Sequence, residues 1–160
     1  IIFSCVTLSL SAQNNDNGFS YDSSEVKTID NIISTVYEII SGEAGERNWE
    51  KFEALFLPGA KFISMKYDKE GKANYFNGTV EDYIQEINPI LMKNDYYEKE
   101  VNRSVQVSAT IAQVYSMYES LLFKEGESTN LKGVNSFQLI YKDNRWWIAN
   151  VLWNSEPRGH

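Results

Sequence analysis

Sulfur chemistry is almost absent from this sequence. Cys5 is the only cysteine in 160 residues, and it lies in the apolar opening run IIFSCVTLSLSAQ. Everything after that run has no means of forming a disulfide and no thiol nucleophile. Histidine is as scarce, since His160 is the sole one and a terminal position is poorly placed for catalysis. Zinc centres and nucleophile–histidine triads therefore lack their usual residues, and no cofactor is expected. Basic charge is also in deficit, with 15 Lys and Arg against 22 Asp and Glu, a net charge of −7. An acidic surface repels phosphate backbones and anionic headgroups, so neither nucleic acid nor a membrane is an expected partner. The opening run is too short to span a bilayer.

That run ends in small residues and Ala12-Gln13, the pattern of a secretory signal peptide over residues 1–13. A buried first strand is the alternative for the same stretch. Residues 14–22 read as a polar linker and residues 23–160 as one domain, exported to the periplasm or secreted. The 42% apolar and 14% aromatic content is that of a globular protein with a core of its own.

Hydrophobic spacing places the elements. Val26, Ile29, Ile32, Ile33, Val36, Tyr37 and Ile40 recur at helical intervals over 25–41, behind possible caps at Ser23 and Ser24, and Gly42 and Gly45 end the run. A shorter helix is predicted from about Asn48, with Trp49, Phe52, Leu55 and Phe56 on one side, stopping at Pro58-Gly59. Lys61–Tyr67 alternates as a strand and Ala73–Phe76 returns beside it. Thr79 with Asp82 opens a third helix through a capping-box pair, and Pro89 is expected to kink or end it. From Tyr96 onward the chain reads as four long strands, 96–109, 111–123, 134–142 and 145–153, rich in aromatic and β-branched residues. Lys124–Gly133 reads as a loop, and Lys142–Arg145 as a tight hairpin turn.

This order, together with Trp49, the run Ala54-Leu55-Phe56-Leu57-Pro58-Gly59-Ala60-Lys61-Phe62, Ile111-Ala112, Tyr118-Glu119, Gly133-Val134-Asn135-Ser136 and Arg145-Trp146-Trp147-Ile148, resembles the nuclear transport factor 2-like superfamily, with its SnoaL-like and ketosteroid-isomerase-like domains. The resemblance spans Ser23 to Glu156. It implies an α+β fold of the NTF2-like or cystatin-like kind: a cone in which a strongly bent antiparallel sheet wraps around three helices and leaves a pocket at its wide end. It also implies a homodimer through the outer face of the sheet. In the isomerase-like members a Tyr stands on the first helix and an acidic base on the first strand. Tyr37 falls near the former, but the latter lands on Ser64, whose hydroxyl cannot act as a general base at neutral pH.

The candidate site is a ligand cavity. On 111–123 the small residues Ala112, Val114, Ser116 and Ser120 share a face with Tyr118, which leaves room for a helix or a ligand and marks that face as inward. The candidate lining residues are Tyr37, Phe62, Tyr118, Asn135, Trp147 and Trp153, with Trp147 and Trp153 placed on one face of the last strand. Each aromatic can equally be ordinary core. Glu98 and Glu100 alternate away from Arg103 on a regular strand, so the three do not converge. Glu119 is read either as an acid paired with Arg103 or as part of a surface ion pair. Two functions follow. One is an exported domain that binds a small, partly apolar molecule without catalysis. The other is a SnoaL-like isomerase, cyclase or hydratase without cofactor, moving protons through Tyr118 with Glu119 or Tyr37.

Overall fold

The computed structural model describes residues 23–67 and 70–156. The expected signal peptide, the polar linker and His160 lie outside the described residues. After a 3-10 turn at Ser23–Val26, the elements run α1 (Ile29–Ile40), α2 (Trp49–Glu53), β1 (Phe56–Tyr67), β2 (Ala73–Gly78), α3 (Val80–Leu91), β3 (Asp95–Ser108), β4 (Ile111–Lys124), β5 (Glu127–Lys142) and β6 (Arg145–Glu156). The six strands form one sheet in the order β2-β1-β6-β5-β4-β3. The architecture is α+β, as expected, but the sheet is mixed: β1 lies parallel to β6, while the other neighbours are antiparallel.

Helix α1 starts at Thr28 and not at Ser23 or Ser24, because the Thr28 hydroxyl accepts the Asn31 N–H at 3.1 Å. Its buried face, Ile32, Ile33, Val36, Tyr37, Ile39 and Ile40, packs onto the concave side of the sheet. Thr79 caps α3 through the expected box with Asp82. Pro89 stays inside that helix, in its last turn, where few backbone bonds remain to be lost.

Two stretches differ from the pattern reading, each for a tertiary reason. Helix α2 is one short turn, and Phe56 already pairs with Ile148, so Pro58 and Gly59 sit inside β1 at a register shift. The tract 124–133 is not a loop. Only Glu125 and Gly126 turn, both at positive φ, and Glu127–Gly133 pairs with Tyr118–Lys124. Its polar composition hides a strand because the partner strand supplies the apolar side chains. Gly133 has a specific reason to be glycine: a Cβ there would come within 2.2 Å of the Asn154 carbonyl and 2.5 Å of the Tyr118 hydroxyl.

Along β4, Ala112, Val114, Ser116, Tyr118 and Ser120 are buried, and Ile111, Gln113, Tyr115 and Met117 are exposed. The small-residue face is therefore the inward one, with α1 lying against it.

Candidate functional site

The concave face holds a partly open cavity of about 490 Å³, within the usual range for small-molecule sites. Its position follows from sheet register. Phe76, Ser64, Trp153, Asn135, Ser116 and Arg103 are successive cross-strand partners and form one row across all six strands. The next row holds Glu100, Tyr118, Gly133 and Ser155, and the next pairs Glu98 with Ser120 and Leu131. Helix α3 contributes Tyr83, Ile87 and Ile90, and α1 contributes Val36 and Ile40.

The aromatic wall is continuous. Tyr83 stacks on Phe62 with centroids 4.5 Å apart, Trp153 stands edge-on to Tyr83 at 5.8 Å, and Phe76 meets Trp153 at 5.8 Å. Tyr118 lies over Gly133, and its hydroxyl reaches Ser155 Oγ at 3.1 Å and the Asn154 carbonyl at 3.2 Å.

Glu98 is a buried carboxyl within this wall. The segment after α1 fixes its place: Gly42 and Tyr96 exchange both backbone bonds, at 2.7 and 2.9 Å. Ser41 Oγ donates to the Glu98 carbonyl at 3.0 Å and accepts the Glu98 N–H at 2.9 Å. Arg47 ties that segment down by donating to the carbonyls of Ile40, Gly42, Glu43 and Gly45. The Glu98 carboxylate accepts from Asn135 Nδ2 at 2.9 Å and, through its other oxygen, from the Tyr96 hydroxyl. Burial pushes this carboxyl above its ordinary range, and the bonds from Tyr96 and Asn135 pull it part of the way back. Desolvation also raises the nearby phenols, Tyr37 and Tyr118 to about 12 each.

A directed hydrogen-bond chain leads away from Glu98. Asn135 Nδ2 also donates to the Tyr37 hydroxyl at 3.1 Å, and Tyr37 and Ser116 are 2.7 Å apart. Ser116 donates to Glu100, whose two oxygens accept from Arg103 Nε at 2.9 and 2.8 Å. Arg103 Nη1 donates to Asp30 at 2.7 Å. Since Asn135 supplies its N–H and Glu100 only accepts, the Tyr37 proton points to Ser116 and the Ser116 proton to Glu100.

Of the residues expected from sequence, Phe62, Tyr118, Asn135 and Trp153 line the cavity. Tyr37 stands behind it, hydrogen-bonded to Asn135. Trp147 does not join them. The pairing jumps from Gln138↔Asn150 to Leu139↔Ile148, leaving Ala149 as an extra residue, and this bulge turns Trp147 away from the Trp153 side. There the Arg145 guanidinium lies over its ring at 3.7 Å. A second bulge, at Val101 between Glu100 and Asn102, overturns the expectation that Arg103 diverges from the strand's carboxylates. It brings Arg103 onto the Glu100 side, where the two form a salt bridge. Glu119 faces outward between Lys132 at 2.9 Å and Lys99 at 3.7 Å, the surface ion-pair alternative with partners other than Arg103.

Pattern reading missed Glu98, Tyr96 and Tyr83 as site residues. The signal available was Tyr96 and Glu98 at alternating positions of one strand, which places both on one face. Ser64, which falls where the isomerase-like base would stand, lines the cavity with a buried hydroxyl that has no hydrogen-bond partner. Among the described residues no cluster of three or more His, Cys, Asp or Glu could hold a metal, and no helix is long and apolar enough to cross a membrane.

No protein-family model and no curated protein matches the chain. Solved structures do. The association domain of C. elegans CaMKII shares 16% identity at a TM-score of 0.55, over 79% of this chain and 92% of that one. A protein of Novosphingobium aromaticivorans provisionally assigned as a scytalone dehydratase gives 16% and 0.62, over 81% and 82%. An NTF-2 like protein of unknown function from Silicibacter pomeroyi gives 13% and 0.51, over 78% and 90%. The chain has the NTF2-like fold.

Proposed function

We propose that this domain binds a small, mainly apolar molecule in the concave cavity. The observation that carries the reading is a continuous aromatic wall whose polar groups are few: Glu98 with Asn135, and the unpartnered hydroxyl of Ser64. Apolar walls supply affinity, while a few placed polar groups fix orientation. Trp153, part of the wall, is a built-in reporter. In a variant that keeps Trp153 as its only tryptophan, a panel of small hydrophobic molecules should shift its emission and raise the melting temperature. If no member of the panel moves either signal, the reading fails.

A second reading, a cofactor-free isomerase, cyclase or hydratase, draws support from Glu98 alone. A carboxyl raised by burial beside a hydroxyl is the type of group that takes and returns protons. Glu119, paired with lysines on the opposite face, drops out of that role. Turnover of a bound ligand that is abolished by Glu98→Gln would carry this reading; binding without turnover leaves the first.

Two further expectations belong to the same proposal. Export of the domain predicts a processed chain in the culture medium or periplasm, detectable by mass spectrometry of its N-terminus. Homodimerisation through the convex sheet face draws on Met65, Tyr115, Met117 and Leu152, between 43% and 52% exposed, around a groove of about 350 Å³. Sedimentation of wild type against Tyr115→Glu tests it, with a monomeric wild type as the contrary result.

A further inference from the structure

The charges around the cavity are one-sided. Its lining holds two carboxyl groups, Glu86 on α3 and Glu98 on β3, and no lysine, arginine or histidine. The groups that face Glu98 from each packed element are equally uncharged. They are Tyr96 on its own strand, Asn135 on β5, Tyr37 beyond Asn135 on α1, Tyr83 on α3, and Tyr118 on β4. The adjacent Lys99 points to the opposite face of the sheet, toward Glu119, and the nearest cation on the same face of the strand, Arg103, is committed to Glu100 and Asp30. Glu98 is thus a desolvated carboxyl that accepts two neutral hydrogen bonds and has no counter-ion, so its charged form calls for a proton or a bound cation. A buried charge in that condition is costly unless paired.

The aromatic faces have the matching property. The π-faces of Trp153, Tyr83 and Phe62 carry negative potential that attracts cations. Ser64 supplies an independent polar contact for a guest, because the residue is 3% exposed, lines the cavity, and its buried hydroxyl has no hydrogen-bond partner. The sheet row sets Ser64 and Asn135 on the two sides of Trp153. A guest lying across the indole therefore reaches both polar ends. The net charge of −7 also enriches cations near the surface.

We propose that the molecule bound is a small hydrophobic amine, taken as its ammonium ion, with Glu98 as counter-ion, the Trp153 and Tyr83 rings as walls, and Ser64 as a second polar anchor. The proposal rests on the binding reading above and narrows it to one chemical class. A carboxylate of the same shape would meet Glu98 with like charge, and a neutral molecule would offer the charged form of Glu98 no counter-ion.

Calorimetric titration of the domain with three probes of one shape separates these cases: 4-phenylbutylamine, 4-phenylbutanol and 4-phenylbutyrate, at neutral pH and low salt. The amine should bind at least about tenfold tighter than the alcohol, and the carboxylate weaker than both. Glu98→Gln should bring the amine-to-alcohol ratio to about one, while Glu98→Asp, which keeps the charge, should retain a preference for the amine. An alcohol that binds wild type as tightly as the amine overturns the amine assignment and leaves the cavity reading standing. A preference that survives in Glu98→Gln also overturns it. Absence of binding by all three removes both. Should Glu98→Gln fail to fold, the wild-type ratio alone decides.

Discussion

Two glutamates on adjacent strands, Glu98 on β3 and Glu119 on β4, occupy opposite faces of one sheet and opposite electrostatic regimes. Glu119 stands on the convex face between Lys99 and Lys132, with water to screen it, and those lysines hold its carboxyl below the usual range. Glu98 stands on the concave face among tyrosines, and burial holds its carboxyl above that range. The sequence offers the same side chain in both places. Strand parity decides which of them faces a solvated lysine and which an aromatic hollow. The concave face is where packing and chemistry are concentrated, and the convex face tolerates change.

The difference should be largest in packing. Phe52 is 1% exposed and touches Trp49, Phe56, Phe62 and Tyr83, so Phe52→Ala should cost about 3–5 kcal/mol in denaturant unfolding. Leu152→Ala on the convex face, where the leucine is 52% exposed, should cost less than about 1 kcal/mol in a monomer. Equal losses would break the contrast between the faces.

Gly133→Ala comes next. The added methyl meets a backbone carbonyl at 2.2 Å that cannot rotate away, so about 1–3 kcal/mol should be lost, and Tyr118 should be displaced from the cavity wall. Arg103→Met tests the charged end of the hydrogen-bond chain. It strands Glu100, whose side chain is 19% exposed, and should cost about 1–2 kcal/mol after allowance for partial screening. A melting temperature equal to wild type would show that the salt bridge holds nothing in place.

Smaller still is the pH response, in which the two glutamates should act with opposite sign. Glu98 binds its proton more tightly folded than unfolded, so its contribution to stability is greatest in acid. It declines as pH rises from its ordinary value of 4.5 through the raised folded value. Glu119 binds its proton less tightly when folded. Its contribution is present above the ordinary value and is lost as pH falls through the lowered one. Glu98→Gln should make stability less sensitive to rising pH, and an unchanged slope would show that the carboxyl is not desolvated. Glu119→Gln should have the smallest effect of the series, detectable only at low salt.

The strength of the sequence reading lay in periodicity. Alternation on β4 identified the inward face, helical spacing identified α1 and α3, and Phe62, Tyr118, Asn135 and Trp153 were placed among the candidate lining residues. What escaped it was irregular backbone. A single extra residue reverses every side chain beyond it, and neither Val101 nor Ala149 carries a composition that announces a bulge. Trp147 was therefore placed on the wrong side, and Arg103 was separated from Glu100. The strand over Glu127–Gly133 was hidden for a related reason, since its polar residues rely on β4 for their pairing.

The parallel seam between β1 and β6 also constrains how the molecule is made. During synthesis Phe56 and Phe62 emerge before β6, the strand that shelters one side of β1 and follows all the other described strands. Until it arrives, β1 has only β2 beside it, and its other edge waits unpaired. Non-local pairings of this type delay folding and expose surfaces that stick to other nascent chains. Chaperone dependence should therefore be sensitive to changes in β6, such as Val151→Ala.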